Sequence, residues 1–328
     1  AAAVGGLAAA LAAGADWSWP AALLASIAGA LVAFGIGVAI AFLVTRAGLA
    51  IPDSARPQRP DGIPAPKPLS WRHAMSCYLA ECRAILRMFD WLQPFRSRLT
   101  FAQPTDPLPD TPTVLLVHGY GCNHAVWLDL APALADAGYR CEGIDLTPVL
   151  GDIDDYAAAL LVRMRDLRAR TGQPPLLVCH SMGGLAARAA QVMADAAGES
   201  VPCAGIVTLG SPHRGCPLAT FGAGTNARQM RWASPWLTNL AEAESPAMRG
   251  RMISVFSWHD SIAGPADTAW LEGARHIPLS GIGHVSLLRD PRAVQATLDG
   301  LATLRKQPAA TSDSALSLPH GNASARFM

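Results

Sequence analysis

Ten residues constrain this chain more than any others: Leu176-Leu177-Val178-Cys179-His180-Ser181-Met182-Gly183-Gly184-Leu185. The apolar opening reads as a short buried strand, the middle as a sharp turn, and the alanine-rich continuation as a helix. A serine at the apex of such a turn is pushed out of the sheet, where a substrate reaches it. Glycines behind it let neighbouring backbone come close. The amide of Met182 lies at the helix start, where N–H groups lack an intrahelical partner and can face a developing oxyanion. An ordinary strand-to-helix turn with an incidental serine fits the same ten residues, so the rest of the chain has to decide.

From residue 113 the pattern alternates. Strands are predicted at 114–117, 139–146, 176–179, 204–209, 252–257 and 274–279, with helices around 126–137, 152–170, 182–197 and 291–304. Asp152, Asp154 and Asp155 place negative charge at the start of the second of these helices, as the helix dipole favours. Such alternation predicts an α/β fold with a mainly parallel sheet flanked by helices. Ligands in these sheets bind beyond the carboxyl ends of the strands, where Ser181 falls. A long insertion around 217–248 carries Phe221, Met230, Trp232, Trp236, Leu237 and Leu240. It reads either as an apolar cover over the serine or as the core of a small helical cap.

Three motifs follow predicted strands: His118-Gly119-Tyr120-Gly121, Cys179-His180-Ser181-Met182-Gly183-Gly184 and Gly210-Ser211-Pro212-His213-Arg214-Gly215. Asp260 and Gly283-His284 come later. Taken in this order, the set resembles the α/β-hydrolase fold, and within it bacterial triacylglycerol lipases and related esterases, over residues 112–305. One position departs from the family's G-x-S-x-G elbow: Cys179 stands where the first glycine is usual. The resemblance implies Ser181 as nucleophile and the order nucleophile, acid, histidine. His284 is then the base, on a loop that Gly281 and Gly283 leave free to aim an imidazole; His276 competes but falls within a strand pattern. Asp260 closes the strand before and is the expected orienting acid, with Asp267 as alternative; Asp145 ends a strand but precedes the serine. By resemblance the oxyanion donors are the amides of Tyr120 and Met182. His118, Gly119, Gly121 and Gly183 shape the site loops, and Phe221, Trp232 and Trp236 are candidate substrate contacts. The activity so implied is serine carboxylic ester hydrolysis through an acyl-enzyme, on a lipid or other acyl ester. The same constellation serves acyltransferases and thioesterases, and a non-catalytic binding module is a reading from a different class.

The amino-terminal end is of another kind. Residues 1–50 carry only two charges, Asp16 and Arg46, and the run 21–45 is long enough to cross a hydrocarbon core about 30 Å thick. Trp17 and Trp19 fit one interface and Arg46 the other, so a transmembrane helix is expected. A signal peptide is the alternative, but the run is long and no basic stretch precedes it. The apolar residues 1–14 leave a helical hairpin turning at 16–20 open. Arg46, Arg56, Arg59, Lys67 and Arg72 all follow the span, which favours a cytoplasmic catalytic domain; a periplasmic one is the alternative. Six prolines in 51–70 make an extended linker. In 71–111 a bridging amphipathic helix precedes a loop, with Trp71, Met75, Tyr78, Cys82, Ile85, Phe89 and Leu92 as its apolar stripe. Packing on the following domain is the favoured role of that stripe, the membrane surface the other. Residues 306–328 are expected to be a disordered tail. A net charge of +1 gives no basis for nucleic-acid binding. Cys77 and Cys82 lack the second cluster a zinc site needs, and no metal or cofactor is expected.

Overall fold

A computed structural model describes residues 2–14, 17–47, 51, 56–108, 110–199 and 202–307. Lys306, expected to open the tail, instead ends a helix; the rest of the expected tail, from 308, lies outside the described residues, as does the beginning of the proposed hairpin turn. Helix α1 (Ala2–Gly14) packs against α2 (Trp19–Ala47). With a mean hydropathy of 2.6 and 6% of its most apolar window buried, α2 is long and apolar enough to cross a membrane. Its hydroxyls are satisfied within the helix: Ser26 Oγ donates to the Ala22 carbonyl at 2.7 Å and Thr45 Oγ1 to that of Ala41 at 2.9 Å.

The linker forms no regular element over 56–70, as its prolines require. It is nonetheless not free, because Ile63 is buried with Phe256, Ala269 and Trp270. Helix α3 (Trp71–Ile85) starts on Ser70, whose side chain accepts the His73 N–H, and continues into a wider π-turn at Leu86–Leu92. Here the expectation needs correcting. Trp71 and Met75 of the apolar stripe are 73% and 48% exposed and only its far end, Ile85 and Leu92, meets the domain; the rest of the inward face is Cys77, Glu81, Ala84 and Met88. Hydrophobicity chose the wrong side because the domain offers hydrogen-bond donors to a carboxylate there, while Tyr78 Oη donates across to the Gly35 carbonyl of α2 at 2.8 Å.

The six strands are β1 (Thr113–Val117), β2 (Arg140–Ile144), β3 (Leu176–His180), β4 (Gly205–Leu209), β5 (Met252–Ser257) and β6 (Arg275–Leu279). They form one parallel sheet in the order β2-β1-β3-β4-β5-β6. Every residue of β1, β3, β4 and β5 is buried, which explains their continuous apolar runs. Alternate residues feed two cores. Leu115 and Val117 join Tyr156, Met164 and Leu185 on one face; Val114 and Leu116 join Trp127, Leu134 and Leu301 on the other.

Helices α4 (Ala131–Asp136), α5 (Ile153–Thr171) and α6 (Met182–Ala196) follow in the connections. The helix expected around 126–137 is two pieces, a 3₁₀ turn at His124–Asp129 and then α4, because Pro132 opens a new helix and cannot continue an old one. The insertion folds as short helices, among them a 3₁₀ turn at Pro217–Phe221, α7 (Gly224–Gln229) and α8 (Pro235–Ala243). Leu237 and Leu240 are buried in the α6-side core, which makes this a small helical cap. Helix α9 (Pro291–Lys306), capped by Asp290, covers the second face.

Candidate active site

Ser181 sits between the end of β3 and the first turn of α6 with φ 55° and ψ −126°. A positive φ costs a non-glycine residue about 1–3 kcal/mol and persists only where surroundings hold it. Here the Ser181 N–H donates to the Leu209 carbonyl at 3.0 Å and the Ser181 carbonyl accepts the Gly184 N–H at 3.1 Å. Absent side chains do the rest. A Cβ on Gly183 would overlap the Val117 carbonyl oxygen, and one on Gly119 would stand 2.9 Å from Ser181 Cβ. Cys179 fills the family's glycine position without disturbance: it is an ordinary strand residue paired with Val117 and Thr208, buried in the core. Burial holds its thiol well above the usual range, so it packs as a neutral hydrophobe.

Asp260 and His284 come together over the end of β4, where Gly210 leaves room for both. His284 Nδ1 lies 2.9 Å from Asp260 Oδ2, with both side chains about 5% exposed or less. The other oxygen, Oδ1, accepts the N–H groups of Ile262 at 2.9 Å and Ala263 at 2.7 Å. Burial alone would raise the Asp260 carboxyl, but the His284 charge, its hydrogen bond and these two amides outweigh it and hold the group below the usual range. Burial likewise pulls the His284 imidazolium down, yet the Asp260 carboxylate, the hydrogen bond to it and the Glu81 charge hold its pKa above 6.5. With Nδ1–H committed to Asp260, Nε2 carries the free lone pair. No hydrogen bond joins Ser181 Oγ to His284 among the described residues; bonds of this kind often tighten only around a bound substrate.

Two of the rival candidates, Asp145 and His276, are engaged elsewhere. Asp145 accepts from the His124 backbone and ring at 2.6 and 2.8 Å. His276 Nε2 accepts the Leu271 N–H at 3.0 Å. Asp267 lies in the turn after the Asp260 loop, with a buried Oδ1 that accepts no hydrogen bond among the described residues. His180 stacks at 4.6 Å on His284 and is pushed by burial down to about 3, which leaves it neutral beside the base.

One parallel sheet, a strained serine between the third strand and a helix, and an Asp–His pair from the loops after the fifth and sixth strands now stand together. A family model described as alpha/beta hydrolase matches residues 114–320. The chain belongs to the alpha/beta hydrolase family. Among solved structures, the mature Bacillus licheniformis lipase BlEst2 is similar with a TM-score of 0.51 at 18% identity, over 62% of this chain and 96% of that one. Aspergillus fumigatus lipase B is similar with a TM-score of 0.52 at 15% identity, over 63% of this chain and 57% of that one. At such identities the likeness is one of fold. No curated protein matches the chain in sequence.

Around the hydrolase elbow, the other expected residues take definite places. Met182 is the first residue of α6, with its N–H unclaimed by the helix. His118 Nε2 accepts the Leu146 N–H at 3.0 Å, and its Nδ1 lies 2.9 Å from the Gly119 carbonyl, tying the loop after β1 to the end of β2. Gly121, at φ 69°, turns that loop after Tyr120. The Tyr120 hydroxyl donates to the Ala223 carbonyl at 2.9 Å and accepts its N–H at 3.1 Å, clasping the cap. Of the candidate substrate contacts, Phe221 is 82% exposed, Trp232 is half-buried, and Trp236 is drawn away to donate to Asp154 of α5 at 3.0 Å. A cavity of about 680 Å³ between α2, the linker, α3 and the Asp260 loop has neither Ser181 nor His284 in its wall, so it adjoins the acid rather than the nucleophile. Among the described residues no cluster of His, Cys, Asp or Glu fits a metal ion.

Three buried charged residues, Arg188, Glu244 and Glu81, escaped the sequence reading. Arg188 of α6 donates to both Glu244 oxygens at 2.7 Å and to the His213 carbonyl at 3.0 Å, joining the elbow helix to the cap. Glu81 of α3 is fully buried against the His284 loop. Its signal was present, since it is the lone acidic residue of α3 and falls in step with Cys77, Ala84 and Met88.

Proposed function

We propose that this chain is a membrane-anchored serine ester hydrolase, lipase- or esterase-like, with Ser181, His284 and Asp260 as its triad. The observation that carries the reading is the coincidence of a left-handed serine at the strand-to-helix turn with a buried Asp–His pair over the adjacent strand. Ser181 Oγ attacks the ester carbonyl while His284 Nε2 takes its proton. Asp260 holds the Nδ1–H tautomer and stabilises the imidazolium. The N–H groups of Met182 and Tyr120 receive the developing oxyanion. His284 then gives the proton to the leaving alcohol, and water activated by the same imidazole releases the acyl group.

The substrate is a lipid or other acyl ester, in keeping with an apolar cap and an apolar amino-terminal helix. Helix α2 anchors the enzyme, and the exposed Trp71, Met75, Phe89 and Trp91 beside it suit a bilayer surface. The basic residues that follow the span favour the cytoplasmic face for the catalytic domain. Protection of that domain from protease added to intact spheroplasts is the expected result; its digestion there overturns the cytoplasmic placement in favour of the periplasmic one.

The deciding experiment is p-nitrophenyl ester hydrolysis with short and long acyl chains, wild type beside Ser181→Ala. The substitution is expected to lower kcat by at least about 10³-fold. Turnover that survives it overturns the assignment of Ser181. An acylated acceptor in place of free acid identifies an acyltransferase. Absence of turnover on every ester and thioester, in folded wild-type protein, favours the binding module.

A further inference from the structure

Glu81 has no place in the triad, and it lies outside the matched hydrolase region, on the helix that links the apolar anchor to the domain. It is fully buried. Its Oε1 accepts the Val285 N–H at 2.9 Å and the Ser261 hydroxyl at 2.6 Å. Its Oε2 accepts the Ser286 N–H at 2.9 Å and the Ser286 hydroxyl at 2.7 Å. Both amides belong to residues directly after His284, and Ser261 directly follows Asp260. A Cβ on Gly283 would overlap Glu81 Oε2, so glycine before the histidine is what admits the carboxylate. No Arg or Lys pairs with Glu81 among the described residues.

Taking a carboxylate out of water without a cation costs several kcal/mol unless hydrogen bonds replace its solvation. Four donors converge here on two oxygens, and two of them are backbone groups that cannot reverse. They come from the two loops that must present the acid and the base of one reaction.

We infer that Glu81 is a positioning residue for the triad: its carboxylate clamps the loops of Asp260 and His284 and supplies negative charge behind the imidazolium. This rests on the proposed hydrolase reading. The clamp makes α3 a working part of the catalytic domain, although the family match begins after it. The groups facing His284 are Asp260 from the loop after β5, His180 from the end of β3 and Glu81 from α3. His180 stays neutral, so only the two carboxylates hold the imidazolium. Cys77, one turn before Glu81, is pushed by burial and then by the Glu81 charge up to about 12, and adds no charge of its own.

The test compares the full-length protein with Glu81→Gln and Glu81→Asp in detergent micelles. It reads steady-state kinetics across pH and, separately, the titration of the His284 imidazole by NMR, assigned with His284→Asn. Glu81→Gln is expected to lower kcat about 10- to 100-fold while KM changes little, as for a misplaced catalytic group. Loss of the negative charge destabilises the imidazolium, so the acid limb and the NMR pKa should both move down by about half a unit or more. Glu81→Asp keeps the charge and should restore the wild-type pKa with part of the kcat. Wild-type kcat and an unmoved His284 titration in folded Glu81→Gln overturn the proposal. If the wild type hydrolyses no ester, the hydrolase reading fails on its own, and the NMR titration still decides whether Glu81 acts on His284. If Glu81→Gln does not fold, Ser261→Ala removes one donor; a several-fold fall in kcat at constant KM supports the clamp, and an unchanged kcat overturns it.

Discussion

At the scale of the residue, the candidate site works by setting neighbouring groups to different tasks. His284 is buried and yet more basic than an ordinary histidine, because the charge and hydrogen bond of Asp260 outweigh its desolvation. The proposed reaction needs the neutral imidazole. Activity therefore falls as pH drops through the raised pKa, and the acid limb of kcat/KM is expected above 6.5. Asp260→Asn reverses both causes. It should cut kcat by about 10⁴-fold and move any residual acid limb downward, which a pH–rate series on the purified variant checks. The same pair ties stability to pH. The Asp260 contribution is present above its unfolded pKa, near 3.8, and is lost as pH falls through the depressed folded value. The His284 contribution is complete below its unfolded pKa, near 6.5, and is lost as pH rises through the raised folded value. The serine motif, the aspartate after β5 and the histidine in its glycine loop were all legible in the sequence, because each is a local pattern at a strand end. Glu81 was not, because its partners lie about 180 to 205 residues away along the chain.

At the scale of the element, the elbow helix α6 is held from both ends. Its first turn fits against β1 because Gly183 has no side chain, so Gly183→Val should abolish soluble expression or activity; Gly184 is similarly confined by Ser211. Further along, Arg188 meets Glu244 with both side chains at most 1% exposed. Removing Arg188 leaves Glu244 with Arg249 at 3.1 Å and the His213 carbonyl without its donor, so Arg188→Leu is expected to destabilise the fold by about 1–3 kcal/mol, read as a lowered denaturation midpoint. Strand existence was readable throughout, since fully buried parallel strands announce themselves as apolar runs. The inward side of α3 was not. Amphipathic periodicity finds a stripe but does not say what the stripe meets, and here the largest apolar residues look outward while a carboxylate faces in.

At the scale of the whole molecule, the hydrolase domain is fastened to its amino-terminal region through α3, the Tyr78–Gly35 hydrogen bond and the buried Ile63. Two truncations separate anchoring from catalysis. A chain beginning at residue 71 should become extractable from membranes by alkaline carbonate, keeping at most a peripheral contact, and keep ester hydrolysis; one beginning at 112 should lose most of it, because Glu81 and its helix are gone. Equal activity of the two, per folded molecule, would show that α3 serves only as a tether. By itself the sequence determined the α/β alternation, the parallel sheet, the apolar amino-terminal helix and the identity of the candidate nucleophile, acid and base. Each of those follows from a local spacing: period two or none for buried strands, an unbroken apolar run for the helix, and short polar motifs at strand ends. Tertiary structure alone decided the strand order, which side of α3 turns inward, the clasp of Tyr120 on the cap, and the junction of Glu81 with the His284 loop. Those depend on which distant segments meet, and a buried polar group becomes tolerable only when the fold brings donors to it from elsewhere in the chain.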